Sequence, residues 1–259
     1  MSRLISLVAV LLVCVACAKG TPTNPEFPPG VSPTPLPQPS YVGIGRYQKL
    51  GETTLAPTFG GVVFMTFVEV RQRSGTAIRH DDVPGFVYAV QGPHTLSRDD
   101  GERASTFEEQ SVGWAGAGVQ HVNPTAKDEV WYFLSLRSIL DRGAKLTYPS
   151  YRVLFESGDL PPVTGKPLVH QVGLITMDVD GRTSSHSHGG TEAFYVMKGS
   201  VELAQNDGSR IAVSSGHGAF VKPGAVMQLR VVGNDPVEIL TYFVTPEGAP
   251  WQTNLQTLP

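Results

Sequence analysis

The 259-residue chain has the composition of a globular protein, with 41% hydrophobic and 17% charged residues. Its formal net charge of −3 and isoelectric point near 6.2 indicate no excess of basic residues, so we expect no nucleic-acid partner. Both cysteines lie within the first 17 residues, which excludes thiol catalysis and thiolate metal ligands from the rest of the chain.

Residues 1–17 have the pattern of an N-terminal targeting segment. A single basic residue, Arg3, precedes an apolar run over 4–15 that is too short to span a bilayer unaided. The sequence Val15-Ala16-Cys17 then resembles the lipobox of bacterial lipoproteins. The resemblance implies cleavage before Cys17 and lipidation of this residue. An ordinary secretory signal with an incidental cysteine is the alternative.

The lipobox resemblance also implies a location. The chain would lie outside the cytoplasm, in the periplasm or on the cell surface, and would touch the membrane only through its lipid. Ala18, where an aspartate would signal retention, points to the outer membrane if the source has one. Residues 18–42 are rich in proline and predict an extended, semi-rigid linker between this anchor and the folded part.

From residue 43 onward the chain consists of short apolar or alternating runs separated by turn residues. The clearest runs cover 62–70, 86–90, 130–134, 169–179, 193–197 and 237–244. Asn206-Asp207-Gly208 is typical turn chemistry between two of them. Helical periodicity of any length is scarce, so the sequence predicts an all-β fold of the sandwich or jelly-roll type.

The body of the chain contains the same unit twice. Gly92 and Gly199, each closing an aromatic strand-like run, are 107 positions apart (199 − 92). The Asp-Gly turns beginning at Asp100 and Asp207 keep the same offset (207 − 100). A repeat of this length indicates two duplicated supersecondary units.

The clearest candidate metal-binding pattern is formed by His186, His188 and Glu192. Residues at i and i+2 of a strand project to the same face, and the carboxylate opens the next strand-like run. If those strands pair, all three side chains converge. Two imidazoles and one carboxylate with open positions suit a divalent metal ion, and iron, manganese, nickel and zinc are all accommodated.

This spacing, with Gly181 upstream and Gly199 downstream, resembles the first motif of the cupin superfamily. Together with the repeat it resembles the bicupins over roughly residues 45–247. The resemblance implies two tandem cupin-type jelly-roll β-barrels after the proline-rich linker. We place the N-terminal, degenerate barrel at 43–145, a connector at 146–167, the C-terminal, metal-binding barrel at 168–248 and a tail at 249–259.

Cupins usually complete the metal site with a later histidine, and its position here is ambiguous. Gly216 and Gly224 place it on Met227, whereas alignment on Pro223 places it on Gln228. A thioether is a soft, weak ligand for a hard divalent ion and is often only core filler, whereas an amide oxygen suits manganese or iron. Both residues remain candidates for the fourth position.

The N-terminal half matches the motif only in part. His80, Asp82 and His121 stand at or near ligand positions, but the glutamate position falls on Gly85. They offer at best a weak site, and we predict a structural role for this barrel. His217 is expected at the rim of the other barrel, outside the site.

The resemblance leaves the activity open. One hypothesis is a metal-dependent enzyme of dioxygenase, isomerase, lyase or hydrolase type acting on a small organic substrate, although no general base is identifiable. The alternative is a tethered, non-catalytic module that binds a small ligand or sugar. A vestigial, purely structural barrel pair is a third reading. A homodimer would be one way to cover an exposed strand edge.

Overall fold

The computed structural model describes residues 45–56, 60–80, 83–98, 105–162 and 165–255. The predicted signal segment 1–17, with the lipidation site Cys17, and the predicted linker 18–42 lie outside the described residues. Within the described ranges, no helix is long and apolar enough to cross a membrane.

Nearly all regular structure in the described residues is β-strand; one 3-10 helix, Ile139–Asp141, is the exception. The strands are β1 Gly45–Leu55, β2 Val63–Gln72, β3 Ala77–Arg79, β4 Gly85–Gln91, β5 His94–Arg98, β6 Ser105–Phe107, β7 Val112–Ala115, β8 Val119–Val122, β9 Glu129–Ser138, β10 Tyr151–Glu156, β11 Leu168–Met177, β12 Ser185–Ser187, β13 Thr191–Lys198, β14 Ser200–Gln205, β15 Arg210–Ser214, β16 Gly218–Val221, β17 Met227–Val231, β18 Val237–Pro246 and β19 Thr253–Leu255.

Four sheets build two barrels, which confirms the predicted all-β fold of tandem jelly rolls. The first barrel pairs the sheet β10-β2-β9-β4-β7 with the sheet β3-β8-β5-β6. The second pairs β1-β11-β18-β13-β16 with β15-β14-β17-β12-β19. Each barrel encloses its own apolar core, and a third core lies between the two five-stranded sheets.

Strand alternation explains why these two large sheets are apolar on both faces. On β13, Ala193 and Tyr195 belong to the core between the barrels, whereas Phe194 and Val196 belong to the interior of the second barrel. Successive side chains of a strand point to opposite faces, so the chain must supply apolar residues at every position here. Glu192 has the same parity as Phe194 and therefore points into the second barrel.

The two halves exchange edge strands. β1, which the sequence assigns to the N-terminal barrel at 43–145, hydrogen-bonds along its length to β11 of the second barrel. β10, which the sequence assigns to the connector 146–167, pairs with β2 of the first barrel. The barrels therefore differ from the predicted ranges 43–145 and 168–248. Each barrel includes one edge strand from outside its predicted range.

The predicted tail, 249–259, also enters the fold. Its residues 253–255 form β19, which pairs with β12, the strand that carries His186. This pairing bears on the candidate site, because Trp251, in the segment leading into β19, contacts His188.

The duplication is visible in the irregularities of the sheets. The pairing of β13 with β18 shifts register between Val196 and Lys198, and that of β4 with β9 shifts between Ala89 and Gln91. The two shifts are 107 positions apart (196 − 89 and 198 − 91), the same offset as in the sequence repeat. Gly85 and Glu192 correspond by this offset (192 − 85).

Candidate metal centre

The structure brings the three predicted ligands together. His186 lies on β12, His188 follows this strand directly, and Glu192 is the second residue of β13. One ligand atom of each side chain lies within 4.8 Å of the other two. The side chains are almost fully buried, at 5%, 3% and 1% exposure respectively.

Both imidazole rings are held by a backbone carbonyl. Nδ1 of His186 donates to the carbonyl of Ser184 at 2.7 Å, and Nδ1 of His188 donates to the carbonyl of Trp251. A carbonyl only accepts hydrogen bonds, so each Nδ1 carries a proton and each Nε2 is the ring nitrogen left to bind an ion. This is the outer-shell arrangement by which proteins orient histidine ligands toward a metal.

Two of the converging atoms have no hydrogen-bond partner. Nε2 of His188 and Oε2 of Glu192 are 3.2 Å apart, yet neither makes a hydrogen bond of acceptable angle. The other carboxylate oxygen, Oε1, accepts from the hydroxyl of Thr241 at 2.7 Å. Buried polar atoms without partners are uncommon and costly, so this pair fits a site that binds an ion.

The electrostatics of the cluster favour an ionised Glu192 and a neutral His186, whereas they favour the protonated form of His188. Burial lowers the pKa of His186 despite the opposing charge of Glu192. Burial alone would also lower the pKa of His188, but its interaction with Glu192 outweighs burial and raises it. Burial would raise the pKa of Glu192, but the two imidazoles and Thr241 together lower it. At neutral pH the cluster therefore contains a carboxylate and a neutral His186 imidazole.

The structure separates the two candidates for the fourth position. Met227 is fully buried, lies opposite His186 in the pairing of β12 with β17, and lines the same cavity as the three ligands. Gln228, one position further on, points the other way, and its Nε2 donates to the carbonyl of Thr183 at 2.9 Å. Strand alternation thus brings Met227, and not Gln228, to the cavity wall.

The three ligands line a cavity of about 110 Å³. Pockets for drug-sized molecules are typically several times larger, roughly 300–1,000 Å³, so this one suits a ligand of a few heavy atoms. Three aromatic rings form part of its wall: Tyr47 and Trp251 have centroids 5.0 Å apart, and Phe243 and Trp251 5.6 Å. Burial raises the pKa of Tyr47 to about 12, so its phenol stays protonated at neutral pH.

Sequence reasoning missed two of these wall residues. Tyr47 arrives on the exchanged strand β1, and Trp251 lies in the segment predicted as a tail. Neither belongs to the motif, and the only signal available in the sequence was an aromatic residue near each end of the folded part. Phe194 and Val196 of β13 lie in the adjoining core of the second barrel and do not line the cavity.

In the first barrel a row of hydrogen-bonded histidines takes the place of a ligand cluster. His80 Nδ1 lies 2.9 Å from His121 Nε2, and His121 Nδ1 lies 2.9 Å from His94 Nε2. At the far end, His94 Nδ1 is 3.0 Å from Oε1 of Glu129. Asp82, the third predicted residue here, lies outside the described residues. Sequence reasoning also missed the role of His94, which had no motif to mark it.

The row requires one additional proton. Its fourth hydrogen bond joins His80 Nε2 to the carbonyl of Val83 at 3.1 Å, so both ends of the row face oxygen atoms. Four hydrogen bonds need four hydrogens, and three neutral imidazoles supply three. The ring nitrogens are thus paired with one another, and His121 is stacked on Trp131 with centroids 4.1 Å apart. This arrangement favours the structural role predicted for the first barrel.

Two further histidines lie away from the cluster. His217 is exposed, as expected for a rim residue. His170 is buried where the barrels meet, and its Nδ1 forms a hydrogen bond with the hydroxyl of Tyr242 at 2.6 Å.

One family model matches part of the second barrel. Residues 173–243, which contain all three ligands and Met227, match the family model of the cupin domain. No curated protein matches the chain.

Solved structures show the same fold. The oxalate decarboxylase of Lactobacillus farciminis in complex with formate has a TM-score of 0.54 at 12% identity, over 74% of this chain and 79% of that one. The vicilin of Solanum melongena, described with different anionic ligands in structurally similar pockets, has a TM-score of 0.51 at 11% identity, over 73% and 77%. A variant of Bacillus subtilis oxalate decarboxylase has a TM-score of 0.51 at 14% identity, over 74% and 71%.

Proposed function

We propose that the second barrel binds one metal ion through His186, His188 and Glu192 and presents it to a small organic ligand in the adjoining cavity. The observation that carries this proposal is the buried convergence of the three side chains, in which Nε2 of His188 and Oε2 of Glu192 lie 3.2 Å apart with no hydrogen bond of acceptable angle. Leaving such atoms without partners costs free energy, and an ion between them would satisfy both.

The chain's own residues would hold and shelter this ion. The carbonyls of Ser184 and Trp251 fix the two rings, and Thr241 holds the carboxylate. The aromatic wall excludes water from one side of the cavity and offers an apolar surface to the ligand. A bound ion would polarise a carbonyl or enol oxygen of that ligand or acidify a coordinated water. These properties suit a metal-dependent enzyme of the dioxygenase, isomerase, lyase or hydrolase type.

A second candidate is a binding module without turnover. It is favoured by the lack of an evident general base among the described wall residues: Tyr47 stays protonated, and the hydroxyls of Thr183 and Ser184 hydrogen-bond to neighbouring segments. Ligand that is bound by the metal-loaded protein but recovered unchanged would support this candidate over the enzyme.

We also propose that the protein is tethered to a membrane, outside the cytoplasm, by a lipid on Cys17, with residues 18–42 as the spacer. The lipobox resemblance supports this. Mass spectrometry of the mature N-terminus tests it: a lipidated Cys17 in the parent, with unprocessed chain in Cys17→Ser, is expected. An unmodified chain that begins after a different residue would contradict it.

The metal proposal is tested by elemental analysis of protein purified without a histidine tag. We expect about one equivalent of metal in the parent, none in the double variant His186→Ala/His188→Ala, and the parental content in His217→Ala, which removes an exposed imidazole. Because an ion that binds only the folded state stabilises it, metal should also raise the melting temperature of the parent and not of the double variant. If the double variant kept the parental metal content and melting temperature, only the hypothesis of a purely structural barrel pair would remain.

A further inference from the structure

We propose that the ion site of the second barrel is a soft-metal site, in which the thioether of Met227 is the fourth protein ligand and copper, above all Cu(I), is the preferred ion. This inference deepens the proposed function and rests on the same three ligands. It concerns the identity of the metal, which the motif residues alone leave open.

The first argument is the placement of Met227. It is the residue directly opposite His186 across the β12–β17 pairing, it is fully buried, and it lines the cavity with the three ligands. The glycine register of the sequence assigns the fourth ligand to this same position. A side chain of about the right length thus faces the ion site from the strand that normally completes it.

The second argument is the engagement of the nearby hard donors. Oγ1 of Thr183 accepts from the backbone N–H of Leu229 at 3.0 Å. Oγ of Ser184 donates to Oδ1 of Asn254 at 3.2 Å. The hydroxyl of Tyr47 donates to the amide oxygen of Gln171.

The two carbonyls closest to the histidines are engaged as well, because they accept from the imidazole Nδ1 atoms. The cavity wall also contains apolar residues and two methionines, Met177 and Met227. Directly opposite His186 on the described wall, the side-chain atom with lone pairs is the thioether sulfur of Met227.

The donor set decides the metal. Two imidazoles, one carboxylate and one thioether are a poor match for magnesium or manganese, which favour oxygen ligands. Thioether sulfur is a soft donor that selects Cu(I), and imidazole suits copper in both oxidation states. A histidine in the place of Met227 would give the harder, less selective four-ligand set that the cupin motif describes.

The test is a competition titration of the parent protein and two variants. Cu(I), kept reduced with ascorbate, is titrated against a chromophoric Cu(I) chelator, and Mn(II) and Zn(II) against a second indicator. Met227→Leu keeps the volume of the side chain and removes the sulfur. Met197→Leu removes a sulfur from the same barrel, at a position on β13 that does not line the cavity.

We expect Met227→Leu to lose affinity for Cu(I) by about tenfold or more while its affinity for Mn(II) and Zn(II) stays near the parental value. Met197→Leu should behave as the parent does. Equal Cu(I) affinity in the parent and in Met227→Leu would overturn the inference, and so would an equal loss for all three ions.

X-ray absorption at the copper edge of the loaded parent gives a second reading that does not depend on the variants folding. A sulfur scatterer is expected, and a shell of nitrogen and oxygen alone would overturn the inference. A parent that binds Zn(II) through its histidines but shows no sulfur contribution with copper would leave the proposed function standing and remove only the soft-metal inference. A parent that binds no ion at all would remove both.

Discussion

The imidazole of His188 donates its Nδ1–H to the backbone carbonyl of Trp251, 63 residues further along the chain. The segment around Trp251 then continues into β19, which pairs with the strand that carries His186. A ligand from the centre of the motif is thus oriented by a residue close to the C-terminal end of the chain.

Deletion of residues 250–259 should therefore weaken metal binding without removing a ligand. It takes away the carbonyl that orients His188 and the strand that pairs with β12, and loss of such outer-shell partners typically costs about 10–100-fold in affinity. Deletion of 256–259 alone, which keeps Trp251 and β19, is the matched control and should bind metal as the parent does. Competition with a chromophoric chelator measures both. Parental affinity in the longer deletion would contradict the role assigned to this segment.

Thr241→Val should destabilise the protein and weaken its metal site. The change removes the hydroxyl that donates to Oε1 of Glu192 and leaves this buried oxygen unpaired, at a cost of about 1–3 kcal/mol in the free energy of unfolding. Thr245→Val, on the same strand, removes a buried hydroxyl that has no partner, so its effect should be close to zero or stabilising. Urea unfolding of both variants is the measurement, and equal losses would argue against the Thr241 hydrogen bond.

Gly85→Ala should strongly destabilise the first barrel. A Cβ at this position would lie 2.4 Å from the carbonyl oxygen of Leu134 and 2.6 Å from the ring of Phe133, so backbone or core must move, at about 1–3 kcal/mol or more. Gly60→Ala is the control, because a Cβ there meets nothing within 4 Å. Thermal unfolding distinguishes them. Full stability of Gly85→Ala would contradict this packing argument, which also opposes a glutamate at this position.

Acid should destabilise the protein partly through His170. Burial lowers the pKa of His170 from 6.5 to about 4 in the folded state. Between these values the unfolded chain binds the proton more readily, so stability falls as the pH drops through this window, by roughly 3 kcal/mol for this group. In His170→Phe the decline of unfolding free energy from pH 7 to pH 4 should be smaller by about this amount, whatever the cost at neutral pH of leaving Tyr242 unpaired.

His217→Gln is the control for this pH experiment, since His217 is exposed and has no buried partner in the described structure. Its pH dependence should match that of the parent. If the unfolding free energy of His170→Phe declined with falling pH as steeply as that of the parent, other groups would account for the acid sensitivity.

Local pattern was enough to predict the fold class and the convergence of His186, His188 and Glu192. Strand-length apolar runs and turn residues indicate an all-β chain, and the repeat at an offset of 107 recurs as paired irregularities in the two large sheets. His186, His188 and Glu192 lie within seven positions (186 to 192), so alternation along neighbouring strands suffices to bring them to one face. Met227 and Gln228 remained ambiguous because a one-residue shift of register reverses every side chain of a strand.

By itself, then, the sequence determined what is encoded over short distances along the chain: strand propensity, turn chemistry, the duplicated unit and the ligand spacing. Only the tertiary structure decided which distant segments meet. The exchange of β1 and β10, the docking of β19 beside the histidines and the row from His80 to Glu129 all depend on pairing or packing between remote residues. The alternation of a strand reveals which of its residues share a face, but not which other strand will satisfy its hydrogen bonds, because that choice is made by the packing of the whole core.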